Sequence, residues 1–214
     1  MFLITMSLGV PRRRFDCVET TVSCPVRGGR HMETAFWLLT WRTYGTWLPG
    51  DARGFVSNVR GVDGRGERHN TPGTECERDL PGLQRYAREQ MKGEPVLLTA
   101  DQARLVAADF RSSAEFRGWP VQALAVMANH VHLVVSAPEE VLTDRLLQVF
   151  KSYASRKLNQ AYPRPVGGTW WAASGSRRRL PNEQAVIAAV EYVRNQEYPL
   201  AIWTVAEPGT TVPG

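Results

Sequence analysis

The sequence predicts an α+β fold, an antiparallel sheet with helices packed on one face in a ferredoxin-like order. Three observations point to it. An aromatic and β-branched run opens the regular part of the chain at Ala35, a valine-rich apolar hairpin fills residues 121–135, and capped amphipathic helices stand on both sides of that hairpin. With 214 residues, 43% hydrophobic and 22% charged, the chain suits one globular domain with irregular additions. We expect an N-terminal extension over 1–33, a domain over 34–205 with an irregular insertion at about 51–94, and a tail over 206–214.

The elements follow in order. Residues 1–31 show no sustained period, and their apolar stretch precedes the Arg12-Arg13-Arg14 cluster, the reverse of a secretory signal. Met32 stands just before the pattern begins, so either translation starts there or the segment is a disordered basic tail. Ala35 to Tyr44 reads as the first strand, ended by Gly45, and Pro49-Gly50 marks a turn. From Asp51 to Glu94 the chain is rich in Gly, Arg, Pro and Asp, with room for one short helix in 79–92.

Thr99 with Gln102 forms a capping box for a first long helix to about Phe116, broken by Gly118-Trp119-Pro120. The hairpin turns at Ala128-Asn129, and its second strand carries His130, His132 and Val134 on one face and Val131, Leu133 and Val135 on the other. Val141 to Ala161 is a second long helix whose stripe is Leu147, Phe150, Ala154, Leu158 and Ala161. Tyr153 stands off that stripe, beside Val149, Arg156, Lys157 and Gln160. Thr169 to Ala173 reads as a short strand before Ser174 to Leu180, and Asn182 caps a third helix in which Val186, Ala189, Val190 and Val193 share a face.

The histidine pair is the chemical centre of this pattern. Two imidazoles at i, i+2 on the open face of a strand stand close enough to bind one ion, and they are costly to desolvate without partners. They could also be half-buried polar residues without a metal. Two readings also stand for Trp170-Trp171 and Arg177-Arg178-Arg179: a surface that stacks bases and holds phosphates, or Trp170 in the core beside solvated arginines.

The composition narrows the function class. Net charge is +5, but residues 1–31 hold five arginines against Asp16 and Glu19, a net of +3, which leaves +2 for the rest. Local basic clusters therefore say more about a polyanionic partner than the total does. Cys17, Cys24 and Cys76 are too few and scattered for a disulfide framework, which suits a reducing compartment. No apolar run is long enough to span a bilayer.

Met127-Ala-Asn-His-Val-His-Leu-Val-Val135, Phe150 to Asn159 with its Tyr153, Leu39 to Asp51, and Val190-Glu-Tyr-Val-Arg-Asn-Gln196 together resemble the HUH single-tyrosine transposases, especially the REP-associated tyrosine transposases. The resemblance covers about residues 34–198. It implies an HUH nuclease fold and a metal-dependent single-stranded DNA endonuclease and strand transferase working through a 5′-phosphotyrosine. It also implies Mg2+ or Mn2+ as cofactor, hairpin-forming DNA as partner, a homodimer, and a cytoplasmic, nucleoid-associated location in a bacterium.

Carried onto this chain, the resemblance implies Tyr153 as nucleophile and His130 and His132 as metal ligands. The family's third ligand is a glutamine or asparagine one turn beyond the tyrosine. Lys157 occupies that place after Tyr153, so Gln160 on the same face, Asn159 or a water is the substitute. Lys151, Arg156, Lys157, Trp170, Trp171, Arg177, Arg178 and Arg179 are the expected DNA contacts. A rival of another class is an RRM-like hairpin-binding module without cleavage, in which His130→Ala leaves affinity intact.

Overall fold

The computed structural model describes residues 33–54 and 79–205. The extension, most of the insertion with its His69, and the tail expected at 206–214 lie outside the described residues. The regular elements are β1 (Thr34–Arg42), α1 (Pro81–Glu89), α2 (Ala100–Phe116), β2 (Val121–Val126), β3 (His130–Pro138), α3 (Thr143–Ala161), β4 (Ser176–Leu180), α4 (Glu183–Arg194) and β5 (Ala201–Thr204). The five strands form one antiparallel sheet in the order β4-β1-β3-β2-β5, which makes the domain α+β as expected. Among the described residues no helix is long and apolar enough to cross a membrane.

The caps form as the sequence predicts. Thr99 accepts from the Gln102 amide while the Gln102 side chain accepts from the Thr99 amide, and Asn182 accepts from the Ala185 amide. These bonds satisfy helix-end donors that have no partner within the helix. The hairpin turn is also in place, with the Met127 amide donating to the His130 carbonyl.

Strand alternation splits the interior into two clusters. Val131, Leu133 and Val135 of β3 join Leu39, Trp41, Leu124 and Val126 in a large core under α2 and α3, centred on Phe110 and Phe150. Val134, Ala123, Ala125 and Leu180 face the other way and meet Ala189 and Val193 of α4. The expectation of helices on one face is thereby corrected. The apolar stripe of α4, read correctly from the sequence, is buried against the face that carries the histidines. Alanines at 123, 125 and 189 keep this layer thin, so α4 lies close to the sheet.

One further expectation is corrected at the edge of the sheet. Thr169 to Ala173 makes only an isolated bridge between Trp171 and Thr43, whereas the arginine run 176–180 is the strand, paired with β1. A strand whose exposed side chains are arginines suits a sheet edge, because charge there discourages pairing with another chain.

Candidate active site

The site is assembled by the register of β1, β3 and β2. Thr40 lies opposite His132 on one side and Ala125 on the other, while Arg42 lies opposite His130. Small neighbours on both sides leave space around the His132 ring. The Thr40 hydroxyl bonds His132 Nδ1 at 2.8 Å, and Asn129 Oδ1 lies 2.6 Å from His130 Nδ1. Both imidazoles are thus oriented through Nδ1, and no hydrogen bond engages either Nε2 among the described residues. The rings stand edge to face with centroids 4.8 Å apart.

Burial keeps these rings neutral. Desolvation, then the neighbouring His130 and Arg42 charges, pull His132 down to about 4, and desolvation followed by Arg42 lowers His130. A neutral imidazole whose Nδ1–H donates to a hydrogen-bond partner presents the Nε2 lone pair, the form that ligates a metal. Among the described residues no third His, Cys, Asp or Glu joins the pair.

Tyr192 of α4 completes the group. Its ring meets His132 with centroids 5.2 Å apart at 82°, and half of the residue is exposed. Gln196 lies four residues on, just past the end of α4, and donates through Nε2 to the Tyr192 carbonyl.

Tyr153 is elsewhere, which corrects the expected pairing of that residue with the histidines. It packs on the large core, on the far side of the sheet from His130 and His132. There its hydroxyl accepts from Arg117 Nη2 at 3.0 Å, and the Arg117 and Arg156 guanidinium groups lie over its ring. The reason lies in the α3 stripe. Leu146, Phe150, Ala154 and Leu158 must cover Val131, Leu133 and Val135, so every side chain of α3 is separated from the histidines by the sheet. Gln160 is exposed near the end of the same helix and is not brought to the pair.

Most of the expected DNA contacts serve the fold. Lys151 donates to the carbonyls of Ala172, Ala173 and Ser174, and desolvation lowers its pKa to about 8. Trp170 and Trp171 are each 4% exposed and donate to Asn159 Oδ1 and the Lys151 carbonyl, so Trp171 joins Trp170 in the core. Lys157 faces Asp109 on α2. Arg177 pairs with Asp144 and Arg179 with Glu139. Arg178 alternates between them, opposite Leu38, and so shares the histidine face.

The segment leaving β1 braces the site. Thr43 and Thr46 both donate to the Asn129 carbonyl. Asp51 accepts from the Arg53 amide and guanidinium, and these bonds hold its carboxyl at about 2. A carboxylate depressed in the folded state stabilises above its unfolded value near 3.8, and that stability is lost as pH falls toward 2. We expect Asp51→Asn to cost about 1–2 kcal/mol at pH 7, the shift being discounted because Arg53 is half exposed, and to cost little at pH 2. Urea denaturation at the two pH values measures the difference.

Residues 93–196 match the family model described as "Transposase IS200 like". Over that segment, just under half of the chain, the sequence is similar to the IS200-like transposase family. Two solved structures are similar to it. One is a provisionally assigned transposase from Deinococcus radiodurans R1, with 18% identity, TM-score 0.43, and coverage of 81% of this chain and 99% of that one. The other is a REP-associated tyrosine transposase bound to a REP hairpin, with 10% identity, TM-score 0.41, and coverage of 79% and 70%. No curated protein sequence matches the chain.

Sequence reasoning missed Thr40, Arg42, Asn129, Tyr192 and Gln196 as site residues. The signal for two of them was present. Tyr192 and Gln196 stand four residues apart in the segment Val190 to Gln196, the spacing of a tyrosine and an amide ligand one turn on.

Proposed function

We propose that the protein is a metal-dependent single-stranded DNA endonuclease and strand transferase in which Tyr192, rather than Tyr153, is the nucleophile. The observation that carries this reading is the Tyr192 ring against His132, on a helix that covers the histidine face. The Tyr192 phenol loses its proton and its oxygen bonds to phosphorus. The bond from phosphorus to the 3′ oxygen breaks, and that oxygen takes a proton to leave a free 3′-OH and a 5′-phosphotyrosine. The linkage conserves the phosphodiester's free energy, so rejoining needs no ATP.

His130 and His132, neutral and anchored at Nδ1, fit Mg2+ or Mn2+ through Nε2, and Gln196 replaces Gln160 as the amide ligand. Bound there, the ion would polarise the scissile phosphate and offset charge developing on it. Half exposure of Tyr192 leaves its hydroxyl accessible to a strand lying across the sheet edge. The resemblance to REP-associated transposases supports hairpin-forming DNA as the substrate, a homodimer, and a nucleoid-associated place in the cytoplasm.

The test is incubation of the protein with single-stranded oligonucleotides from both flanks of its gene, with Mn2+, Mg2+ or EDTA, followed by a denaturing gel. A covalent protein–DNA species is expected with either metal and absent with EDTA. Hairpin binding without any adduct would replace this reading with a descendant that binds but does not cut.

A further inference from the structure

We propose that Arg42 grips the scissile phosphodiester, its guanidinium presented by the Trp47 ring. This rests on the function proposed above and adds a catalytic residue to it.

Arg42 is the last residue of β1, directly opposite His130, and alternation puts it on the histidine face with Thr40. Its guanidinium carbon lies 3.1 Å from the centroid of the Trp47 ring. A stacked guanidinium turns its N–H groups outward in its own plane, where they can meet two oxygens of an oxyanion at once. Trp47 is itself fixed, since its Nε1 donates to the Gly54 carbonyl at 2.7 Å.

Among the described residues Arg42 has no anionic partner of its own. Asp51, whose charge reaches it, is occupied by Arg53 through both Nε and Nη2. No hydrogen bond engages the Arg42 side chain among the described residues. Burial lowers its pKa to about 10, and the arginine remains charged at neutral pH. A partly buried cation without a partner is costly to the fold, and an anion delivered to the site offsets that cost.

The placement also matches the chemistry. Arg42 stands opposite His130, on the face where His132 meets the Tyr192 ring, and its charge helps to lower the pKa of both imidazoles. The other arginines of the sheet are less suited. Arg177 and Arg179 are held in ion pairs, and Arg178 stands out on the edge strand.

The test uses the full chain with two probes, a 20-residue oligothymidylate for binding and the flank oligonucleotide for single-turnover adduct formation. Losing one phosphate contact lowers the slope of log K against log salt by about 0.7 for single strands, the change expected in Arg42→Gln. At saturating DNA the same variant should form adduct about 100-fold to 1,000-fold more slowly, as when one preorganised donor to a developing oxyanion is removed. Arg42→Lys should restore the salt slope and only part of the rate. Trp47→Leu should slow the reaction less, and combined with Arg42→Gln it should add nothing.

An unchanged salt slope, or a wild-type rate in Arg42→Gln, would overturn the assignment, provided circular dichroism shows both variants folded. Failure of the function itself reads differently. In that case the wild-type protein forms no adduct, and the salt slope alone decides whether Arg42 contacts phosphate.

Discussion

Replacing Tyr192 with Phe is expected to abolish the covalent protein–DNA species completely, whereas Tyr153→Phe should leave it within about twofold of wild type, the range of a substitution remote from the reaction. The change at 192 removes only the hydroxyl. The ring that packs beside His132 remains, so the domain keeps its fold and its affinity for DNA. Stability should respond in the opposite sense. Tyr153 accepts a hydrogen bond from Arg117, whose loss costs about 0.5–1.5 kcal/mol, while half-exposed Tyr192 makes no side-chain hydrogen bond among the described residues. A denaturing gel and a thermal melt on the two variants therefore cross: one loses chemistry and keeps its Tm, the other loses Tm and keeps its chemistry. An adduct surviving in Tyr192→Phe and lost in Tyr153→Phe would return the nucleophile to α3 and require the strand to reach the opposite side of the sheet.

The two tyrosines show what a sequence can and cannot say about such a site. Strand parity placed His130 and His132 on one face, and the caps at Thr99 and Asn182 fixed where α2 and α4 begin, because each depends on residues a few positions apart. Which face a helix covers is a different kind of fact. Both α3 and α4 carry an apolar stripe and a tyrosine, and local periodicity cannot tell the helix that follows β3 from the one that returns by way of β4. Only the route of the chain around the edge of the sheet decides it.

The same limit explains the arginine strand. In Ser176 to Leu180 alternation is invisible because three successive arginines look alike whichever way they point, and pairing with β1 separates Arg178 from its two neighbours. Adjacent tryptophans invite a surface reading for a similar reason, since one of two neighbours ordinarily faces water. Here the segment 169–174 is tied down by Lys151 and Asn159, and both indoles are buried. Arg42 was legible only as one residue of a strand expected to run on to Tyr44. Its significance needs the register that sets it against His130.

Trp41→Ala is expected to destabilise the domain by about 3–5 kcal/mol, the range for emptying a buried tryptophan site. Trp41 is 1% exposed and meets Phe110 and Trp171 edge to face at 5.4 and 6.2 Å between ring centroids. It joins α2, β1 and the segment after α3, so its removal opens a cavity bounded by three parts of the chain that cannot all close on it. Trp41→Phe should cost much less. Phenylalanine keeps an aromatic edge in place and removes an indole N–H that is buried without a partner, a group that detracts from stability as it stands. The consequence for the site follows from position. Thr40 and Arg42 flank Trp41 and point to the other face, so the anchor that holds β1 against the core also holds the His132 partner and the Arg42 guanidinium in register. Urea denaturation should rank the variants as wild type, Trp41→Phe, then Trp41→Ala, and adduct formation at a temperature where all three remain folded should fall in the same order. Equal adduct rates alongside the full loss of stability would mean that the pairing of β1 with β3 alone fixes the site.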